Sequence, residues 1–183
     1  MSKRILVLTG SFRKGGNSDM LADAFIKGAH RAGHIVEKIS LAGMNIGGCR
    51  ACNGCWNSQG HCVFRDDMEL IEEKLETSDV LVIATPIYWS MAPSHVKAPI
   101  DRLYQYDPNH GGIRMGVTES VLLTCGETED PGDFGLIKSF FNMVADFNGM
   151  PARGIIAVPG VNYKGDIAGN KALAEAEALG ESI

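Results

Sequence analysis

The chain has 183 residues, enough for one compact domain and too few for two ordinary ones. Its 45% hydrophobic and 21% charged residues describe a globular protein and exclude a disordered one. A net charge of -5 without a Lys/Arg cluster excludes a general nucleic-acid binder, and no apolar run nears the roughly 18–20 residues of a membrane span.

From the N-terminus, Arg4–Thr9 is apolar without alternation, the pattern of a strand buried on both faces. It is too short for a signal peptide, so the expected location is the cytoplasm. Residues 10–17 are rich in Gly, Ser and Asn. A helix follows over 18–31, with Leu21 and Phe25 at helical spacing and Asn17 or Ser18 as N-cap. Residues 34–40 form a weaker strand, nearer a sheet edge. Residues 45–64 are irregular and hold four of the five cysteines. Asp66 then opens a helix bearing Met68, Ile71 and Leu75, with Glu69 at capping-box spacing.

Residues 80–85 are a second wholly apolar strand, stopped by Pro86. A loop over 87–92 leads to a helix that starts at Pro93 and runs to about Tyr104, with Pro99 expected to kink it or shift its start. Glu119–Cys125 is a strand, 134–147 a helix, 154–158 the last strand and 168–179 a closing helix. Five strands alternating with helices predict an α/β fold, a parallel sheet with helices on both faces joined by right-handed crossovers.

Such a sheet binds ligands beyond the carboxyl ends of its strands. After the first strand comes Gly10-Ser11-Phe12-Arg13-Lys14-Gly15-Gly16-Asn17-Ser18, leading straight into a helix. A helix N-terminus offers free N–H groups and partial positive charge; Ser11, Asn17 and Ser18 add donors and Arg13 a charged fork. Neither the dinucleotide spelling G-x-G-x-x-G nor the Walker spelling is present, which leaves a terminal monophosphate, against the alternative of an ordinary glycine-rich turn. After the third strand, Pro86-Ile87-Tyr88-Trp89 puts two adjacent aromatic rings at the same edge. Exposed rings cover something flat and apolar, an isoalloxazine being one such object, or they pack on a helix or a second subunit. After the fourth strand, Thr124-Cys125-Gly126 allows close backbone approach at Gly126; Cys125 reads equally as a buried strand-end residue.

G-S-F-R-K-G-G-N-S, T-P-I-Y-W and K-A-P-I-D-R-L together resemble the NAD(P)H-dependent FMN reductase branch of the flavodoxin-like superfamily, over about the first two-thirds of the chain. The resemblance implies one flavodoxin-like doubly wound domain over 1–183, FMN as cofactor and NAD(P)H as cosubstrate. It implies FMN phosphate on Ser11, Arg13, Gly16, Asn17 and Ser18. The isoalloxazine would lie against Pro86, Ile87, Tyr88 and Trp89, with Thr124 and Gly126 on its far side. Lys97, Asp101 and Arg102 would be structural or lie at a dimer interface. The implied activity is reduction of a quinone, a nitro- or azo-aromatic or a similar small-molecule electron acceptor. No residue is assigned as a catalytic acid or base; His95 and His110 qualify by type alone and read as surface residues.

Cys49, Cys52, Cys55 and Cys62 have the spacing C-x2-C-x2-C-x6-C, as in ferredoxin-type [4Fe-4S] ligation, with Gly47, Gly48, Gly54 and Gly60 supplying a flexible backbone. Zinc, which prefers two separated knuckles, and cluster-free thiols are the other readings. This stretch resembles the compact motif of iron–sulfur flavoproteins. That resemblance implies electron transfer between cluster and flavin, ferredoxin as a partner, and a homodimer or homotetramer. A non-enzymatic, flavodoxin-like electron carrier is a further alternative.

Overall fold

The computed structural model describes residues 1–110 and 113–183; the side chain of His110 lies outside the described residues. Five strands, β1 (Arg4–Thr9), β2 (Ile35–Ser40), β3 (Val80–Pro86), β4 (Glu119–Cys125) and β5 (Ala152–Val158), pair in parallel in the order β2-β1-β3-β4-β5. The longer helices are α1 (Asn17–Arg31), α3 (Met68–Thr77), α4 (Ser94–Arg102), α5 (Gly135–Phe147) and α6 (Lys171–Glu181); α2 (Gly54–Asn57) is a single turn in the cysteine-rich stretch. No helix among the described residues is long and apolar enough to cross a membrane.

Alternation along β1 shows how the sheet is sandwiched. Ile5 and Val7 join Val80, Val82, Val121 and Leu123 in a core under α1 and α6. Leu6 and Leu8 join Leu81, Ile83 and Leu122 in a second core under α3, α4 and α5. Both faces of β1, β3 and β4 are therefore apolar, which is why these strands lack polar alternation. β2 and β5 are the edges, and their patterns are correspondingly weaker; Ile35 is 62% exposed.

Local chemistry moves several expected boundaries. Gly16, not Asn17 or Ser18, is the N-cap of α1, because the Asn17 side chain is engaged elsewhere. The expected capping box at Asp66 does not form: the Asp66 carboxylate accepts from Gly47, Met68 and Arg102, and Glu69 pairs with Arg65. α4 continues through Pro99 and tightens into a 3-10 turn, Leu103–Tyr106. β5 starts at Ala152 because Gly154 serves packing, not a strand end: a Cβ there would meet the Leu179 side chain at 2.7 Å. α6 starts at Lys171, since the Asn170 side chain accepts from Ala172 N–H at 2.9 Å and caps the helix there.

Candidate functional site

Strand order reverses at β1, and the loops after β1, β3, β4 and β5 share the carboxyl edge of the sheet. Ladder-like bonds run on into these loops. Gly10 N–H donates to Ala84 O at 2.8 Å, Ile87 N–H to Cys125 O at 2.9 Å, and Gly126 N–H to Val158 O at 3.1 Å. Between the loops lies an open cleft of about 490 Å³, within the roughly 300–1,000 Å³ of small-molecule sites.

The first wall is the loop before α1. Ser11 Oγ accepts from Arg13 N–H at 3.0 Å, and Gly16 N–H donates to Arg13 O at 2.8 Å, curling the loop over the helix start. Gly15, at φ 62°, donates to Asp19, which faces back from the first turn of α1. Gly16 cannot be larger, since a Cβ there would lie 2.8 Å from Arg13 O. The first-turn N–H groups of α1 have no intrahelical acceptor, so this end of the cleft suits an anion. Arg13 and Lys14 are exposed beside it, and Arg13 also donates to the Asn162 carbonyl.

The second wall is a two-residue hairpin. Tyr88 N–H donates to Met91 O at 2.8 Å and Met91 N–H to Tyr88 O at 3.1 Å. Trp89 and Ser90 between them have φ 52° and 62°, the left-handed region that Asn and Gly normally fill in such turns. The turn leaves Trp89 wholly exposed at the mouth of the cleft and Tyr88 52% exposed. The third wall is Cys125 to Thr128. Gly126 also makes room for Ile87, whose Cγ1 would lie 2.6 Å from a Cβ. Burial pushes the Cys125 thiol up to about 12, so it is an inert wall group.

Of the residues singled out from the sequence, Ser11, Arg13, Asn17, Ser18, Pro86, Ile87, Tyr88, Trp89 and Gly126 line this one cleft. Gly16 shapes the loop from behind. Thr124 is fully buried in β4 and does not reach the cleft. The Asn17 side chain faces the last loop: its Nδ2 donates to Tyr163 O at 2.9 Å, and its Oδ1 accepts from Gly165 and Ile167 N–H. Sequence reasoning missed Ser90, Glu127, Thr128, Asp133, Val161 and Asn162. The loop after β5 could have been found from topology alone, since it leaves the same edge. His95 is also not a free surface residue: its Nε2 lies 2.8 Å from Gly10 O, and its ring leans on Phe12.

As arranged, the four loop cysteines are not gathered around one metal or cluster position. Among the described residues no group of three or more His, Cys, Asp or Glu is placed to hold a metal ion. Left-handed turns at Ala51 and Asn53 lead into α2, which carries Cys55 inward while Cys49 and Cys52 stay exposed. Burial pushes the Cys55 thiol up, and neighbouring Cys62 and Cys49 add to the shift. The loop is held on α4 and the turn after it. Arg102 reaches Gly47 O and Phe64 O, Cys62 N–H donates to Gln105 at 2.9 Å, and Trp56 packs on Tyr104 with ring centroids 5.0 Å apart. Lys97 and Asp101 form a half-buried i,i+4 pair on α4.

Residues 3–118 match the family model described as NADPH-dependent FMN reductase. The chain is 30% identical over 178 residues to an iron–sulfur flavoprotein of Archaeoglobus fulgidus, covering 96% of this chain and 76% of that one. It is 30% identical over 173 residues to a Bacillus subtilis relative named as an NAD(P)H-dependent FMN-containing oxidoreductase, covering 90% and 88%. In fold it matches an NAD(P)H:quinone oxidoreductase from Methanothermobacter marburgensis with a TM-score of 0.75 at 19% identity, over 100% and 96% of the two chains.

Proposed function

The chain belongs to the NADPH-dependent FMN reductase family, and on that premise we propose that it oxidises NAD(P)H and reduces a quinone, a nitro- or azo-aromatic or a similar planar acceptor at an FMN in the carboxyl-edge cleft. The observation that carries this reading is the pairing of an anion-seeking helix start with apolar and aromatic walls in one cleft. When bound, FMN supplies the hydride and electron chemistry.

The protein's part is placement. The loop over 10–18 takes the phosphate with Ser11, Ser18 and Arg13 and the first-turn N–H groups of Asn17 and Ser18; Gly16 keeps the loop tight. Ile87, Tyr88 and Trp89 flank the ring, with Pro86 and Gly126 at its edge and Thr124 behind the wall. The N–H groups of Ile87, Tyr88 and Gly126 are already spent on carbonyls. Those of Trp89, Ser90, Glu127 and Thr128 have no acceptor among the described residues, and they would meet negative charge on the ring's polar edge.

Titration with FMN followed by steady-state oxidation of NADH and NADPH with a benzoquinone tests the reading. Stoichiometric FMN and acceptor-dependent turnover are expected. FMN binding without turnover would make the chain an electron carrier, and no FMN binding would remove the proposal altogether. A homodimer or homotetramer belongs to the same reading and is checked by light scattering.

The spacing C-x2-C-x2-C-x6-C and the iron–sulfur flavoprotein relatives favour a second reading, in which the loop is rebuilt around a cluster and ferredoxin is the electron donor. The thiols as arranged do not hold one, so no step is routed through it. Iron and sulfide assayed on anaerobically purified protein decide: about four of each per chain supports the second reading, and negligible iron removes it.

A further inference from the structure

His95 stands on α4, outside the cleft lining, yet it grips the residue on which the phosphate loop begins. Gly10 is held from three sides. Its N–H donates to Ala84 O at 2.8 Å. Its Cα faces the next residue of α4: a Cβ there would lie 2.3 Å from Val96 Cγ2 and 2.9 Å from Thr85 Oγ1. Its carbonyl lies 2.8 Å from His95 Nε2. A carbonyl brings no proton, so Nε2 carries it and donates; in the neutral ring that fixes the Nε2–H tautomer and leaves Nδ1 bare. The same ring leans on Phe12 at 4.6 Å between centroids, so two of the loop's first three residues rest on one side chain.

Beyond Phe12 the loop is held by its own turn, by Asp19 at the start of α1 and by distant partners. Ser11 and Arg13 bond each other, and Arg13 bonds Asn162 O. Phe12 is 62% exposed and has no buried seat of its own. The carbonyl of Gly10 sets the peptide plane before Ser11, and with it the direction in which Ser11 enters the cleft. Without the tether that peptide can rotate, and the donors must be ordered by the ligand at a cost in affinity.

We propose that His95 is a positioning residue for the cofactor phosphate: its Nε2–H tether to Gly10 O, with its ring under Phe12, presets the loop before the phosphate arrives. The inference rests on the FMN reading of the cleft. A group acting only at the phosphate end should matter for FMN and not for riboflavin, which lacks the phosphate.

Fluorescence titration of FMN and riboflavin into the wild type, His95→Leu and His95→Gln tests this. Gln carries its amide nitrogen the same number of bonds from Cβ as Nε2 and keeps the donor. His95→Leu should bind FMN about 5- to 10-fold more weakly, the scale of one lost hydrogen bond, with riboflavin within about two-fold of wild type. His95→Gln should recover most of the FMN loss. Unchanged FMN affinity in the Leu variant, equal losses for both flavins, or a Gln variant as weak as Leu overturns the proposal. Should the Leu variant fail to fold, imidazole ¹⁵N spectra of the wild type decide: an Nδ1–H tautomer at His95 overturns the tether, and an Nε2–H tautomer supports it. A wild type that binds riboflavin and FMN alike also overturns the phosphate role. One that binds neither, with the Nε2–H tautomer seen, removes the FMN reading and this role with it, while leaving the bond itself intact.

Discussion

Arg102 and Asp66 meet at 3.0 Å with side chains only 2% and 12% exposed, joining α4 to the end of the cysteine loop. Burial disfavours the Asp66 charge, but the N–H groups of Gly47 and Met68 and the Arg102 guanidinium outweigh it and hold its carboxyl below the ordinary range. A carboxyl lowered in the folded state stabilises fully above its unfolded value, about 3.9, and loses that stabilisation as pH falls through the folded value. Asp66→Asn leaves Arg102 buried with its charge uncompensated on that side, at a cost of about 3 kcal/mol. Urea melts at pH 7 and pH 3 check both: the variant should be much weaker at pH 7, and the gap should narrow in acid.

His34 predicts a milder pH effect at the other end of the sheet. Its Nδ1 accepts from Lys3 N–H at 3.0 Å, so the bond requires that nitrogen unprotonated. Burial, and then the nearby Lys3 charge, lower its pKa. Stability from this group is complete above the unfolded value of about 6.5 and is lost as pH falls below it toward the folded value. His34→Gln should flatten the thermal-stability profile between about pH 6.5 and 5, which differential scanning calorimetry reads.

The contact of α1 with α6 depends on two glycines. A Cβ on Gly28 would lie 1.8 Å from Glu177 O, and one on Gly180 would lie 2.1 Å from Phe25 O. Lys27 and Arg31 then reach Glu177 across the crossing. Gly→Ala usually helps a helix by up to about 1 kcal/mol. Here backbone must move, and either substitution should cost about 3 kcal/mol or more. Chemical denaturation of Gly28→Ala and Gly180→Ala measures this; a stabilised variant would show that the crossing is looser than drawn.

Thiol chemistry should separate Cys125 from the loop. With its thiol at about 12, Cys125 stays protonated at pH 8 and lies buried in the cleft wall. Iodoacetamide should label Cys49 and Cys52, which are exposed, and spare Cys125 in the native protein. Peptide mass mapping after timed alkylation gives the order. Early labelling of Cys125 would mean that the wall opens.

The buried frame was legible because a strand covered on both faces has a plain signature. Residues 5–8, 80–85 and 121–125 carry it, and the spacing of helices between them yields the parallel sheet. The cleft was half legible for the same reason: loops at the carboxyl edge are known once the strands are. What stayed hidden was the use of individual side chains. Asn17 reads as a cap or phosphate donor, and its bonds to residues 163–167 span a separation that no local pattern carries. Gly126 and Gly154 read as sites of freedom or as a strand end, whereas each admits a neighbouring side chain. The cysteine spacing suggests a shared centre, but spacing does not encode the left-handed turns at Ala51 and Asn53 or the burial of Cys55 while Cys49 and Cys52 stay exposed.

The bonds from Asn17 to the loop over 163–167 also order events during synthesis. The donors of the first loop leave the ribosome early, yet their fastening waits for a segment almost 150 residues later. At about 5–20 residues per second that interval is roughly 7–30 s. Until then the loop lacks the bonds that tie Asn17 to residues 163–167. The cleft gains its full set of bonds only when the last part of the sheet and its return loop have docked.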